Sequence, residues 1–258
     1  MILRLKSLKN KMLFYFLGST SILLISLTAV VMNVVGSEIR TGSYNTGLEK
    51  ARNIAAEING QFGSNIQIVK NTNSIVEMYK TRSRKELHDI NKNFALSNPQ
   101  FTGVYITFEP GLYDGKDKEY IGNQEFAGSE TGKFSSYWHF VNGVLTQNSL
   151  TDSMDNLAGD ASAYYQVPKK TLKPYIAEPY VDNNVMMYSI VFPIMIEGVF
   201  NGITGADVAI NSVNEQLSKV TFMQSGFVEM ISAAGMYVAT PKKELLGAKT
   251  IYDVSKTD

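Results

Sequence analysis

The apolar and polar positions along this chain fall into three regimes. Residues 12–35 form an apolar run of 24 residues without a charge. At ~1.5 Å per residue such a run spans a hydrocarbon core of ~30 Å with some tilt. Residues 37–80 then carry a helical stripe in which Leu48, Ala55, Phe62, Val69 and Val76 fall seven apart, with Ala51, Ile58 and Tyr79 on adjoining positions. This heptad-like seam predicts one long helix. It can pack on its own domain, pair with a second copy in a dimer, or do each along different parts of its length. From residue 101 the period changes to two. The spacing predicts strands over 101–109, 133–140, 175–181, 185–196 and 199–210, with hairpin turns at Asn142-Gly143 and Glu197-Gly198. Residues 81–97 read as a second helix with Ser83 as N-cap, broken by Asn98-Pro99. Residues 162–172 read as a short helix interrupted by Pro168. Residues 150–161 read as an acidic loop, Asp182-Asn183-Asn184 as a turn and 211–221 as a linking helix. Helices followed by a mainly antiparallel sheet predict an α+β fold, not a doubly wound α/β one.

Charge orients the apolar run. Arg4, Lys6, Lys9 and Lys11 precede it with no acid, while Glu38 and Arg40 follow and cancel. That bias puts residues 1–11 in the cytoplasm, makes 12–35 a transmembrane helix and places the rest outside. A cleaved secretory signal is the alternative. Signal cores are usually ~7–15 residues and end at a small-residue site, whereas this run is longer and leads into Val34-Val35-Gly36-Ser37-Glu38. No second run of that length follows; residues 189–200 carry Pro193 and Glu197.

Composition narrows the function. Lys+Arg and Asp+Glu are both 24, which gives no basic field for nucleic acid. The absence of Cys excludes disulfide scaffolds and thiol catalysis. His88 and His139 are the only histidines, and the sequence has no zinc-protease, Walker A or nucleophile-elbow motif. We therefore expect no catalytic residues, no metal and no cofactor. Asp114, Asp117 and Glu119 lack EF-hand spacing and read as a solvated loop.

Tyrosine, tryptophan and aspartate instead gather between 132 and 210. Tyr137, Trp138, Tyr164 and Tyr165 can wall a pocket, or they can fill the core and edge of the sheet. Asp182 and Asp207 can supply negative charge. Asp207 sits in a strand of Gly, Ala, Val and Ile where packing gives no reason for an acid. Aromatic faces beside carboxylates select cations, each contact being worth ~0.5–2 kcal/mol. A cationic ligand would also relieve a buried carboxylate. A purely structural surface protein would not need such an acid.

Five blocks carry a family resemblance: Gly132-Lys-Phe-Ser-Ser-Tyr-Trp138, Tyr164-Tyr-Gln-Val-Pro168, Glu178-Pro-Tyr180, Ser189-Ile-Val-Phe-Pro193 and Gly202-Ile-Thr-Gly-Ala-Asp207. In order and spacing they resemble the double Cache sensor domain of methyl-accepting chemotaxis proteins, from about Ser37 to the chain's end. The resemblance implies a long membrane-emergent stalk helix over 36–80 and two PAS-like modules. The membrane-distal module, which holds the ligand pocket, would cover 81–221. The start of a membrane-proximal module, incomplete here, would cover 222–258, so that the chain reads as a fragment or truncated frame. Amino-acid-sensing relatives carry an Arg-x-Trp-Tyr element. Ser162 falls at its Arg, Tyr164 at its Trp and Tyr165 at its Tyr, while Asp182 and Asp207 fall at the positions that hold the ligand's ammonium group. Serine cannot grip a carboxylate as arginine does. The resemblance therefore implies a small cationic amine or quaternary ammonium ligand. An amino acid stays open through Lys133, Lys169 or Lys170. It also implies an inner-membrane chemoreceptor, homodimeric through the stalk helix; histidine kinases and diguanylate cyclases carry the same domain.

Overall fold

The computed structural model describes residues 7–79, 83–150, 162–182 and 185–255. The chain divides into two compact units, Met1–Glu57 and Ile58–Asp258. Helix α1 (Leu8–Met78) runs unbroken through Gly60 and Gly63. In the first unit the large apolar side chains from Met12 to Val35 lie exposed. This is the one helix among the described residues long and apolar enough to cross a membrane. Several of its polar side chains bond within the helix. Thr20 and Thr28 donate to the carbonyls of Phe16 and Leu24 at 2.7 and 2.8 Å, and the Asn33 amide donates to Ala29 at 3.0 Å. Internal pairing of that kind is what a hydrocarbon environment demands.

The second unit is a mixed helix and antiparallel-sheet fold. After α1 come α2 (Arg84–Ser97), β1 (Phe101–Phe108), β2 (Ser135–Val141), β3 (Val144–Asn148), α3 (Ala163–Thr171), β4 (Tyr175–Ile176), β5 (Tyr180–Asp182), β6 (Val185–Ile196), β7 (Val199–Ala209) and α4 (Asn211–Ser218). Ser83 caps α2, accepting from the Glu86 amide. The sheet order is β3-β2-β1-β7-β6-β4, with β5 also pairing β6, and each ladder is antiparallel. Both hairpins close through two positive-φ residues, Asn142-Gly143 and Glu197-Gly198, the backbone that matches strand twist. The expected turn at Asn183-Asn184 and the loop over 151–161 lie outside the described residues.

Period-two alternation gives the sheet two covered faces. On one face Ile106, Phe108, Phe134 and Ile194 pack with Val76 of α1 and Leu87 of α2. On the other, Tyr105, Val191 and Ile203 pack with Tyr165 of α3. The helical stripe of α1 is used from Ile58 onward, where Ile58, Val69 and Val76 are buried, while Ala51 and Ala55 are exposed. Beyond α4, two small ladders follow, β8 (Thr221–Phe222) with β9 (Gly226–Phe227) and β10 (Met230–Ile231) with β11 (Tyr237–Ala239). A last short helix, α5 (Ile251–Val254), starts at a Thr250–Asp253 capping box.

The loop that carries Asp114, Asp117 and Glu119 is not merely solvated, which corrects the sequence reading. Arg84 is buried, and its guanidinium donates to Asp114 (2.8 and 2.9 Å), Asp117 (2.8 Å) and the Gly132 carbonyl (2.7 Å). Burial alone would raise the Asp114 carboxyl; its bonds to Arg84 and the Lys116 amide, with the charges of both residues, together outweigh that and hold it below the ordinary carboxylate range. The fork therefore ties 114–132 to the start of α2. Lysine keeps the charge but not the fork. Arg84→Lys is expected to lower stability by ~1–2 kcal/mol, read as a drop in thermal midpoint by circular dichroism.

Candidate ligand-binding site

Strands β1, β2, β5, β6 and β7 and helix α3 converge on a cavity of about 150 Å³, lined by Tyr105, Tyr137, Leu150, Tyr164, Tyr180, Asp182, Met187, Ser189 and Asp207. A cavity of ~150 Å³ accommodates a benzene-sized molecule. Strand register brings the lining together. Tyr105 lies opposite Tyr137 on one side and Gly205 on the other, Gly103 opposite Asp207, and Ser189 opposite Asp207. Two glycines give the lining rings their room. A Cβ at Gly205 would sit 2.4 Å from the Tyr105 ring, and one at Gly103 would sit 2.9 Å from the Tyr137 ring and 3.0 Å from Asp207 Oδ2. No larger residue leaves room for these rings and the carboxylate together.

Asp207 is 8% exposed. Its Oδ1 accepts from Ser189 Oγ at 2.6 Å and from the Tyr180 hydroxyl at 3.4 Å, and those two hydroxyls meet at 2.8 Å. Among the described residues no cation pairs with it. Burial pushes its carboxyl up to about 6, opposed by the bonds from Ser189, Tyr180 and Tyr137 and reinforced by the charge of Asp182. The phenols move the same way: burial and the Asp207 charge push Tyr164 up to about 12, Tyr137 and Tyr180 higher still, and Tyr105 well above the ordinary phenol range. All four stay neutral at physiological pH. Tyr105 meets Tyr137 and Tyr164 edge to face, each at 6.1 Å. Its hydroxyl is buried without a hydrogen bond of good geometry, although Ser189 is near enough to influence its ionisation.

Of the residues singled out in the sequence, Tyr137, Tyr164, Asp182 and Asp207 line this cavity; Trp138 and Tyr165 do not. Successive strand residues face opposite ways, so with Tyr137 inward Trp138 turns to α2. There it stacks on His88 at 4.9 Å and donates its indole N–H to the His88 carbonyl. Tyr165 is 2% exposed and meets Phe200 edge to face at 6.1 Å, in the core behind the cavity. His139 stacks on Tyr137 at 4.8 Å without joining the lining. Ser162 is a buried residue at the start of α3, outside the lining. Lys133 and Lys170 are also outside it. Lys169 is drawn to Glu109 at 3.1 Å. Among the described residues no lysine or arginine lines the cavity, and no group of three His, Cys, Asp or Glu is placed to hold a metal ion. Sequence reasoning missed Tyr105, Tyr180 and Ser189; the signal available was the strand parity of Tyr105 and Tyr137 and of Ser189 and Asp207, once paired.

Comparison with known proteins places this arrangement. The model for the methyl-accepting chemotaxis protein-like first PDC sensor domain matches residues 87–215, half of the chain. Methyl-accepting chemotaxis protein TlpQ of Pseudomonas aeruginosa is 27% identical over 169 residues, which cover 60% of this chain and 24% of TlpQ. The chain thus spans about a quarter of that relative's length. The extracellular domain of a proposed histidine kinase, mmHK1S-Z3, is 37% identical with a TM-score of 0.74, over 82% of this chain and 75% of that one. The ligand-binding domain of the Pseudomonas aeruginosa amino acid chemoreceptor PctC, in complex with GABA, shares the fold at a TM-score of 0.58 and 15% identity, over 83% of this chain and 82% of that one. With its helices flanking an antiparallel sheet, this chain belongs to the methyl-accepting chemotaxis protein-like family of first PDC sensor domains, extracytoplasmic sensors of chemoreceptors and histidine kinases.

Proposed function

We propose that this chain senses a small cationic amine or quaternary ammonium compound in the cavity between β1, β2, β6 and β7. The observation that carries this is Asp207, a buried carboxylate held by hydroxyls, with no cationic partner among the described residues, inside a box of tyrosines. Ring faces and a desolvated carboxylate both favour a positive ligand. The carboxylate of a zwitterion would find no lysine or arginine in the described lining. PctC holds GABA, and an amino acid is the alternative that this reading must exclude.

Around the site we propose the domain plan expected from the sequence: residues 1–11 cytoplasmic, 12–35 crossing the inner membrane, 36–80 a stalk pairing two copies, 81–221 the distal module, and 222–258 the start of a proximal one. The function is binding, with no chemistry on the ligand. A chemoreceptor output is the first reading, and the 37% identity to the extracellular domain of mmHK1S-Z3 supports a histidine kinase as the alternative.

Calorimetric titration with tetramethylammonium and choline, and separately with amino acids, tests the ligand class. Binding of amino acids with none of the quaternary amines overturns it. The two faces of β2 give a sharper contrast. Tyr137→Ala is expected to weaken tetramethylammonium binding by about tenfold, the loss of one ring face. Trp138→Phe, on the far face, is expected to leave it within about twofold.

A further inference from the structure

Strand β6 carries the cavity and the long helix on consecutive residues. Ser189 faces the cavity and donates to Asp207 at 2.6 Å. Tyr188, its neighbour, faces the other way. Its ring meets Phe62 of α1 edge to face at 5.0 Å, and its hydroxyl accepts from the Asn65 amide at 3.4 Å. Farther along the same strand the Asn73 amide donates to the Pro193 carbonyl at 3.3 Å, and the Met195 amide donates to Glu77 at 2.8 Å. Helix α1 therefore meets β6 through a polar row, Asn65, Asn73 and Glu77, beside the apolar stripe of Val69 and Val76.

That row is incompletely satisfied. Asn73 is buried, and its amide is shared between Pro193 and Glu77, but its Oδ1 has no partner among the described residues. A buried acceptor left unpaired costs ~1–3 kcal/mol. Interdigitated apolar side chains resist small displacements, whereas a polar row with a missing bond has less to lose by re-pairing one step along. At the contact of α2 with β2, Asn91 donates to both the carbonyl and the hydroxyl of Ser136, and His88 bonds that hydroxyl through Nδ1, while its Nε2 is buried without a partner among the described residues.

We propose that β6 couples the cavity to α1, with Ser189 and Tyr188 as the junction and the Asn65–Asn73–Glu77 row as the seam that shifts when Asp207 changes its partners. This rests on the cavity, not on the identity of its ligand. A ligand biases such an element only by interacting differently with its two arrangements.

Hydrogen–deuterium exchange on the full chain in detergent tests the coupling without a ligand. Asp207→Asn removes the charge at the cavity end while keeping its shape. It is expected to change amide exchange across residues 58–78 by about threefold or more. The change should shrink to less than half when Tyr188→Phe and Asn73→Leu are added, since these keep ring and volume but remove the row's bonds at Asn65 and Asn73, leaving only that of Glu77 to Met195. Exchange in 58–78 that is the same with and without Asp207→Asn overturns the proposal. So does a response confined to residues 84–97, or one that keeps half its size or more in the combined variant. Tetramethylammonium added to the unmutated chain should reproduce the shift in 58–78. A response to Asp207→Asn with none to tetramethylammonium supports the junction and overturns the ligand class.

Discussion

Asp207→Asn is expected to weaken tetramethylammonium binding by about a hundredfold while making the unliganded chain more stable at neutral pH. The two effects share one cause. Asp207 is buried and held by Ser189 and Tyr180 rather than by a cation. At ~5 Å and an effective dielectric constant of ~20, a carboxylate and an ammonium attract by ~3 kcal/mol, about a hundredfold in affinity. Without that partner the ionised carboxylate is a cost to the fold. Its carboxyl stands at about 6 against an ordinary 3.8, which corresponds to a penalty on the order of 3 kcal/mol at ~1.4 kcal/mol per unit. Asparagine recovers only part of this, because its amide group must still be hydrogen-bonded among Ser189 and Tyr180. A net gain of ~1–2 kcal/mol is expected, read from thermal unfolding beside the calorimetric titration. A residue present for packing would lose stability on replacement, so a drop in stability with unchanged affinity removes Asp207 from the site.

Asp207 was visible in the sequence because a carboxylate in a Gly-Ala-Val-Ile strand contradicts the local pattern, and such contradictions mark function or strain. The hairpins at Asn142-Gly143 and Glu197-Gly198 and the cap at Ser83 were legible for a related reason: each needs a local chemistry that the residue itself displays. Trp138 misled because aromatic density was weighed without strand parity. Tyr137 and Trp138 are consecutive, so one cavity cannot take both. Tyr164 and Tyr165 are consecutive on a helix, about 100° apart around its axis, and divide in the same way between cavity and core. Tyr105, Tyr180 and Ser189 were out of reach for another reason. Parity shows which residues share a face, but only the pairing of Tyr105 with Tyr137 and of Ser189 with Asp207 shows that they meet. The Arg84–Asp114–Asp117 cluster joins residues 30 and 33 apart, and no local rule links a helix start to a distant acidic loop. The α1–β6 row, spanning more than 110 residues, is of the same kind.

The affinity for tetramethylammonium is expected to fall as pH drops below about 6, approaching tenfold per unit. This ligand keeps its charge at every pH, so the dependence belongs to the protein. Asp207 titrates near 6 in the unliganded fold, and below that value a cation must displace its proton. The stability of the unliganded chain should move oppositely. A carboxyl whose folded value is raised binds a proton that the unfolded chain releases. Its contribution is therefore fully present below about 3.8 and lost as pH rises through about 6. Asp182 shares the cavity, and His139 lies behind Tyr137, lowered by burial and raised by Asp182. A protonated His139 would also repel a cation at low pH, in the same direction. The variants separate the two groups: His139→Gln should keep the fall in affinity, and Asp207→Asn should flatten it. If His139→Gln flattens the profile and Asp207→Asn leaves it intact, the histidine sets the pH response and the buried carboxylate does not hold the ligand's charge. The neutral tyrosines contribute ring faces at every pH in the range, so a floor of weak binding should survive in acid where the carboxylate is protonated.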